Sequence, residues 1–297
     1  MLHSSPSGPG ATRSDDAPLD RVLFDSGRVT VGEWRCRRTH ANFADTGPTE
    51  HYLVAFPRTT VRIQHADRRS FVSDPTLFTM YNRGQRYRRE AIDPEGDRCD
   101  WWAVDGDNAR AIAAAVDAPA ASDAERPFRF DHGPADAALY LRQRRVLHRL
   151  RSGAIDAVEA EEETLAIVAR ALAAARGHER SRARVDRTAH RDLAHDARAL
   201  IGLRFRDRVT LAMLASALGV SAFHLCRVHR AQTGTTVHRH LTRLRLRASL
   251  EALEGRDDLC RIALDAGFAS HSHFTAAFRA EFGLAPSRWR SSRAACT

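Results

Sequence analysis

The chain has 297 residues, 43% of them hydrophobic, and a formal net charge of +9. This composition excludes a globally disordered chain, and no run of about 18 apolar residues is present to span a bilayer. All 46 basic residues are arginine, and their surplus is uneven: residues 190–297 hold 17 Arg against 9 acids, whereas residues 1–189 hold 29 against 28. The asymmetry implies a basic nucleic-acid-binding module joined to a near-neutral one. The absence of lysine reads as a compositional habit with no functional weight.

Residues 1–18 are rich in Ser, Pro and Gly, lack the apolar segment of a signal peptide, and are predicted to be a disordered tail. Residues 19 to about 105 read as short strands. Val22–Phe24, Val29–Val31, Tyr52–Phe56, Val61–Ile63, Phe71–Val72, Leu77–Tyr81 and Trp101–Val104 are separated by Asp-Pro, Asn-Arg-Gly and Pro-Glu-Gly turn signals. This spacing predicts a small antiparallel barrel or sandwich. Residues 108–116 read as a helix, and Phe128–Phe130 as one more strand. Two helices follow near 134–151 and 154–176. The apolar stripe of the second (Ile155, Val158, Leu165, Val168, Leu172) either packs on its own domain or meets a second copy of the chain. Residues 178–190 are polar and read as an interdomain linker, which sets an N-terminal domain at 19–177 and a C-terminal one at 191–297. Five scattered cysteines (Cys36, Cys99, Cys226, Cys260, Cys296) fit a reducing cytoplasm, not a disulfide frame or a zinc ribbon.

From Asp192 onward the pattern is helical, with candidates at 191–204, 210–217, 221–232, 235–253, 259–266 and 270–282. Inside this region one pattern occurs twice. Ala215, Gly219, Val220, Leu225, Arg230 and Gly234 correspond to Ala263, Gly267, Phe268, Phe274, Arg279 and Gly283, with one extra residue after the second turn. Each copy reads as helix, tight glycine turn, helix, with units at about 210–232 and 259–282. The small alanines let two helices cross closely, and the glycines take the positive φ of the turn. Ser221 and Ser270 are N-cap residues of the second helices, whose free face would enter a major groove.

The stretch from Ile262 through Ala263, Gly267, Phe268, Phe274, Phe278, Arg279, Phe282, Gly283, Pro286, Trp289 and Arg290 closely resembles the signature of the AraC/XylS family of bacterial transcription regulators. The resemblance covers about residues 200–290; the N-terminal half is similar only in outline to that family's cupin-like effector-binding and dimerisation domain. It implies an α+β multidomain protein, with a cupin-like β-barrel and helical hairpin followed by an all-α domain. Two helix-turn-helix units joined by a long helix would make seven helices, and their recognition helices would enter successive major grooves of double-stranded DNA, about 34 Å apart.

On that resemblance Phe223, Cys226 and Arg227 of the first unit and Ser272, His273 and Ala276 of the second face base edges. Arg227 is the strongest reader, since arginine bonds guanine bidentately; Phe223 is either a thymine-methyl contact or core. Ala276 stands where relatives often carry a long basic side chain, which weakens hydrogen-bond readout by the second unit. Ser221, Arg230, Ser270 and Arg279 are expected at phosphates, with Arg288, Arg290, His224, His229 and His271 as additions. Arg239, Arg243, Arg245 and Arg247 on the long helix read as a solvated face. In the N-terminal half Trp34, Tyr52, Phe56, Tyr81, Tyr87, Trp101 and Trp102 are the candidate lining of a small-molecule effector pocket.

A metalloenzyme reading of the barrel finds little to stand on. There is no H-x-H, His40, His51 and His65 lie in separate segments, and Glu90 has no histidine two or three residues away. No enzymatic activity, cofactor or metal is expected. The expected protein is a cytoplasmic bacterial regulator that binds DNA, homodimerises through its N-terminal domain, and meets RNA polymerase if it activates. An effector-independent DNA-binding factor shares the same C-terminal chemistry.

Overall fold

The computed structural model describes residues 19–45, 47–66, 68–116, 123–182 and 188–294. The expected tail at 1–18, the middle of the expected linker and Cys296 lie outside the described residues.

The N-terminal half carries β1 (Leu19–Asp25), β2 (Val29–Cys36), β3 (Tyr52–Pro57), β4 (Val61–His65), β5 (Phe71–Ser73), β6 (Leu77–Tyr81), β7 (Tyr87–Ala91), β8 (Asp97–Val104), α1 (Gly106–Val116), β9 (His132–Pro134), α2 (Ala137–Ser152) and α3 (Ala157–Arg182). All strand pairs are antiparallel. One sheet runs β1-β2-β8-β3-β6-β9, the other β5-β4-β7. The closed barrel expected from the sequence is not formed among the described residues; no ladder joins the two sheets, which leaves a space between them.

Successive side chains on a strand point to opposite faces, and the two faces of the large sheet do different work. Val31, Val54 and Trp102 sit side by side in register on one face, in a core with Phe56, Phe78, Val104, Leu139, Ile167 and Leu172. Trp34, Leu53, Ala55, Cys99 and Trp101 take the other face. A Cβ on Gly32 would lie 2.3 Å from the Trp101 ring, so only glycine lets that ring lie across β2. The α3 stripe is covered from within: Ile167, Val168, Ala171 and Leu172 are fully buried, while Val158, at 70% exposure, stands outside it.

Two strands were not visible in the sequence. β7 reads as polar because Arg88, Arg89 and Glu90 fill it, yet Arg89 is buried against the Trp34, Phe43 and Tyr87 rings. In β9, Gly133 packs against Phe78 and Ala175 with no room for a Cβ. Residues 128–130, expected as a strand, are irregular. The expected linker is helical at both described ends, since α3 continues to Arg182 and α4 starts at Thr188.

The C-terminal half comprises α4 (Thr188–Arg204), α5 (Leu211–Ala217), α6 (Ala222–Thr233), α7 (Val237–Ala252), α8 (Leu259–Asp265), α9 (His271–Phe282) and α10 (Pro286–Ala294). Ala197, Ile201, Leu214, Leu225, Leu241 and Leu244 form a separate core around the first unit. The second unit's Leu246, Leu250, Ile262, Phe268, Phe274, Phe278 and Trp289 belong instead to the cluster that continues into the N-terminal half. Among the described residues no single helix is long and apolar enough to cross a membrane.

Candidate functional site

The two helix-turn-helix units repeat each other's turn and second-helix cap. Gly219 and Gly267 have φ of 65° and 88°, the left-handed region that glycine enters without steric cost. Val220 N donates to Ala215 O (3.0 Å) and Phe268 N to Ala263 O (2.9 Å), which closes each turn. The hydroxyl of Ser221 then accepts from His224 N (3.1 Å), and that of Ser270 from His273 N (3.2 Å). Both serines are thus N-caps, as expected. In the first unit the turn sets α5 and α6 at 90°. Leu225 and Phe274 anchor the second helices at zero exposure.

This anchoring turns the opposite helix faces outward. On α6, Phe223 is 77% exposed, which excludes a core role. Arg227 and Arg230 are exposed beside it and Cys226 is half-buried. On α9, Ser272, His273, Ala276 and Arg279 are exposed. Arg288 is exposed, whereas Arg290 donates to Asp257 O (2.7 Å). Every base-facing position named from the sequence therefore lies on an open or half-open helix face.

Other expected contacts move. His229 is fully buried and unavailable to phosphate. The long helix α7 is no solvated face. Of its four arginines only Arg239 is exposed; Arg243 pairs with Glu281 (2.8 Å), Arg245 donates to Phe205 O and Asp207 O, and buried Arg247 donates to Pro75 O and Ala135 O. Periodicity places these arginines on faces but does not say which faces later acquire a neighbour.

Asp74, between β5 and β6, fixes the back of α6. It is fully buried. One carboxylate oxygen accepts from Thr76 N (2.7 Å) and its hydroxyl (2.6 Å); the other accepts from Arg198 of α4 (2.6 Å) and from His240 Nε2 of α7 (2.9 Å). A carboxylate only accepts, so His240 carries its proton on Nε2. His240 Nδ1 lies 3.1 Å from His229 Nε2, and His229 Nδ1 lies 3.0 Å from Thr235 O and 3.2 Å from the Thr233 hydroxyl. Against a burial penalty, Arg198 and His240 hold the Asp74 carboxyl far below its ordinary range. Burial pushes His229 down to about 3 and lowers His240, so both imidazoles are neutral near neutral pH.

A second polar seam lies at the far end of α7. Arg58 meets Asp100 (2.6 Å), Arg144 bridges Asp100 (3.0 Å) and Glu254, and Arg98 pairs with Glu251.

The space between the two sheets is a cavity of about 260 Å³. Trp34, Tyr81, Tyr87 and Trp101 line it, with Asp20, Glu50, His51, Ser73 and Asp97. Four of the seven expected aromatic residues are present. Tyr52, Phe56 and Trp102 are not: they sit on the opposite face of β3 and β8, in the helix-covered core. Strand alternation explains this, because neighbours such as Trp101 and Trp102 cannot share a face. Among the described residues no three His, Cys, Asp or Glu side chains form a metal-holding group.

A family described as a helix-turn-helix domain matches residues 214–292. The HTH-type transcriptional activator RhaS of Escherichia fergusonii is 37% identical over 90 residues, which cover 30% of this chain and 32% of that protein. The chain thus spans about a third of the length of the curated relative it matches. Among solved structures, an AraC-type transcriptional regulator from Chromobacterium violaceum is 25% identical, covering 36% of this chain and 97% of that one, with a TM-score of 0.34. ToxT of Vibrio cholerae is 12% identical, covering 90% and 98%, with a TM-score of 0.34. Residues 214–292 are thus similar to a helix-turn-helix family and to part of a transcriptional activator, which supports the AraC/XylS resemblance carried by the doubled motif.

Proposed function

We propose that this protein is a sequence-specific DNA-binding transcriptional regulator whose two recognition helices, α6 and α9, read successive major grooves. The observation that carries this reading is the matched pair of capped units, each with its candidate readers on an exposed or, for Cys226, half-buried face while its anchors are buried. Arg227, Phe223 and Cys226 read bases from the first unit. Ser272, His273 and Ala276 offer the second unit little beyond shape, and Arg230 and Arg279 hold phosphates. Residues 19–177 sense and residues 191–297 bind DNA. Like RhaS, which is named an activator, the protein raises transcription in this reading, through RNA polymerase.

Footprinting of the full chain tests the two-unit reading. Protection of two adjacent helical turns per protomer is expected, and protection of one turn overturns it. Affinity should also fall steeply with salt as arginine–phosphate contacts release counterions.

The N-terminal cavity takes a small-molecule effector in this reading, supported by its four aromatic walls. An effector-independent factor is the second reading. A ligand screen with no thermal shift, together with unchanged DNA affinity across that screen, selects it. A homodimer needs a surface other than the α3 stripe, which the chain's own sheet covers; sedimentation of the full chain measures the oligomeric state.

A further inference from the structure

The carboxylates around the cavity are unequally served. Asp97 is neutralised by Arg89 at 2.5 Å. Arg89 in turn is held by the rings of Trp34 (5.2 Å), Phe43 (5.1 Å) and Tyr87 (5.8 Å), so its charge is spent inside the wall. Asp20 and Glu50, at the rim, have no arginine within ion-pair distance among the described residues, in a chain with 46 arginines and 37 acids. Among the described residues the Asp20 side chain accepts from Trp101 Nε1 alone (3.0 Å). Burial and the nearby Glu50 raise its carboxyl, while the neighbouring His51 opposes them. The His51 ring lies parallel to Trp101 at 6.0 Å, on the rim.

The floor carries a separate signal. Ser73 is 1% exposed, lines the cavity, and its hydroxyl has no hydrogen-bond partner. The buried Nε1 of Trp34, another lining residue, is also unpartnered. An unpaired buried donor costs free energy, and an indole N–H only donates. A ligand that brings an oxygen within reach of either group removes part of that cost. At the rim two carboxylates without an arginine partner, beside aromatic faces, favour positive charge, by direct attraction and through the negative faces of the rings.

We infer that the cavity selects an organic cation: a single-ring amine whose ammonium sits at Asp20 and Glu50, whose ring lies among Trp34, Tyr81, Tyr87 and Trp101, and whose far end presents an oxygen to the buried Ser73 hydroxyl. The size of the cavity suits one ring with a short chain. This inference rests on the effector-pocket reading above and adds the chemistry of the ligand.

Three matched probes test it by calorimetric titration of the full chain: tyramine, the neutral 4-ethylphenol and the anionic 4-hydroxyphenylacetate. Tyramine should bind about tenfold or more tighter than 4-ethylphenol, and 4-hydroxyphenylacetate weakest. The double variant Asp20→Asn, Glu50→Gln should remove that advantage and leave 4-ethylphenol binding unchanged; Asn at position 20 keeps an acceptor for Trp101. Retained 4-ethylphenol binding also certifies that the variant is folded, and Ser73→Ala should weaken tyramine without altering its lead over the anion. A tie between the probes, or tyramine binding indifferent to the double variant, overturns the cation assignment alone. Silence from all three overturns the effector-pocket reading along with it.

Discussion

The two helix-turn-helix units share turn, cap and anchor geometry but are held in unlike ways. The second rests mainly on apolar contact, with the Arg243–Glu281 pair and the arginine–carboxylate seam at its margin. Phe268, Phe274, Phe278 and Phe282 stack edge to face in sequence, with centroids 4.7 to 5.6 Å apart, and join a core continuous with the N-terminal half. The first has its own small core and meets the N-terminal half through polar groups: Asp74, Arg198, His240 and His229. The unit with the better base reader, Arg227, is thus the one fastened through buried imidazoles, whereas the seam at the far end of α7 is made of arginines and carboxylates. Apolar contact is indifferent to pH and salt, whereas a buried carboxylate with its cation and imidazoles is not. The two units should therefore respond differently to the same disturbance.

The largest effects should come from removing the fastenings. Asp74→Ala leaves Arg198 buried without its counter-charge, and a loss of about 3–5 kcal/mol is expected; Phe278→Ala should cost a similar ~3–5 kcal/mol. Urea denaturation of the full chain measures both. The contrast lies in pH. The lowered pKa values of His229 and His240 mean that the unfolded chain takes up protons first as pH falls below their ordinary 6.5. Stability is then full above about 6.5 and declines toward about 3, the folded value of His229. Asp74, with its carboxyl held below the ordinary 3.8, adds a further loss only in more acid solution. His229→Asn should flatten the upper part of this decline; Phe278→Ala should leave its shape intact. Equal pH profiles for all three proteins would erase the distinction between the units.

Smaller effects concern DNA. Arg227→Ala should cost about 1–3 kcal/mol and relax preference at one base pair, whereas Arg279→Ala should weaken specific and random DNA alike. Competition binding against both DNAs separates these outcomes, and an unchanged specificity ratio for Arg227→Ala removes it as a reader. Smallest, Ser221→Ala and Ser270→Ala should each cost about 1 kcal/mol as lost N-caps. Their equality in thermal denaturation is the expected signature of the shared turn geometry.

The repeat was readable in the sequence because glycine, serine and a buried aromatic each do a local job at fixed spacing. Helix existence followed from the same local signals, though α10, opened by Pro286, was not among the predicted helices. The cavity was half readable. Aromatic residues marked the right strands, and strict alternation would have sorted Trp101 from Trp102. The polar fastening was not readable at all. Asp74 precedes Pro75 and looks like a turn signal, while Arg198, Arg247 and His240 look like exposed helix residues. Their burial arises only when segments more than 100 residues apart meet. Arg89 shows the same limit in one strand, since its charge is tolerated only because Asp97 and three rings converge on it.

Helix α7 carries His240, Leu241 and Leu244 toward the first unit and Leu246 and Leu250 toward the second, with Arg247 gripping the N-terminal half between them. Each residue of a helix adds about 1.5 Å and turns the next by about 100°. A single insertion within α7 would therefore swing one unit's seat around the axis before it lengthened the span appreciably. The distance between the two units can only be changed in steps of nearly whole turns, so natural variation in this stretch should proceed by substitution, with insertions displaced to the loops on either side.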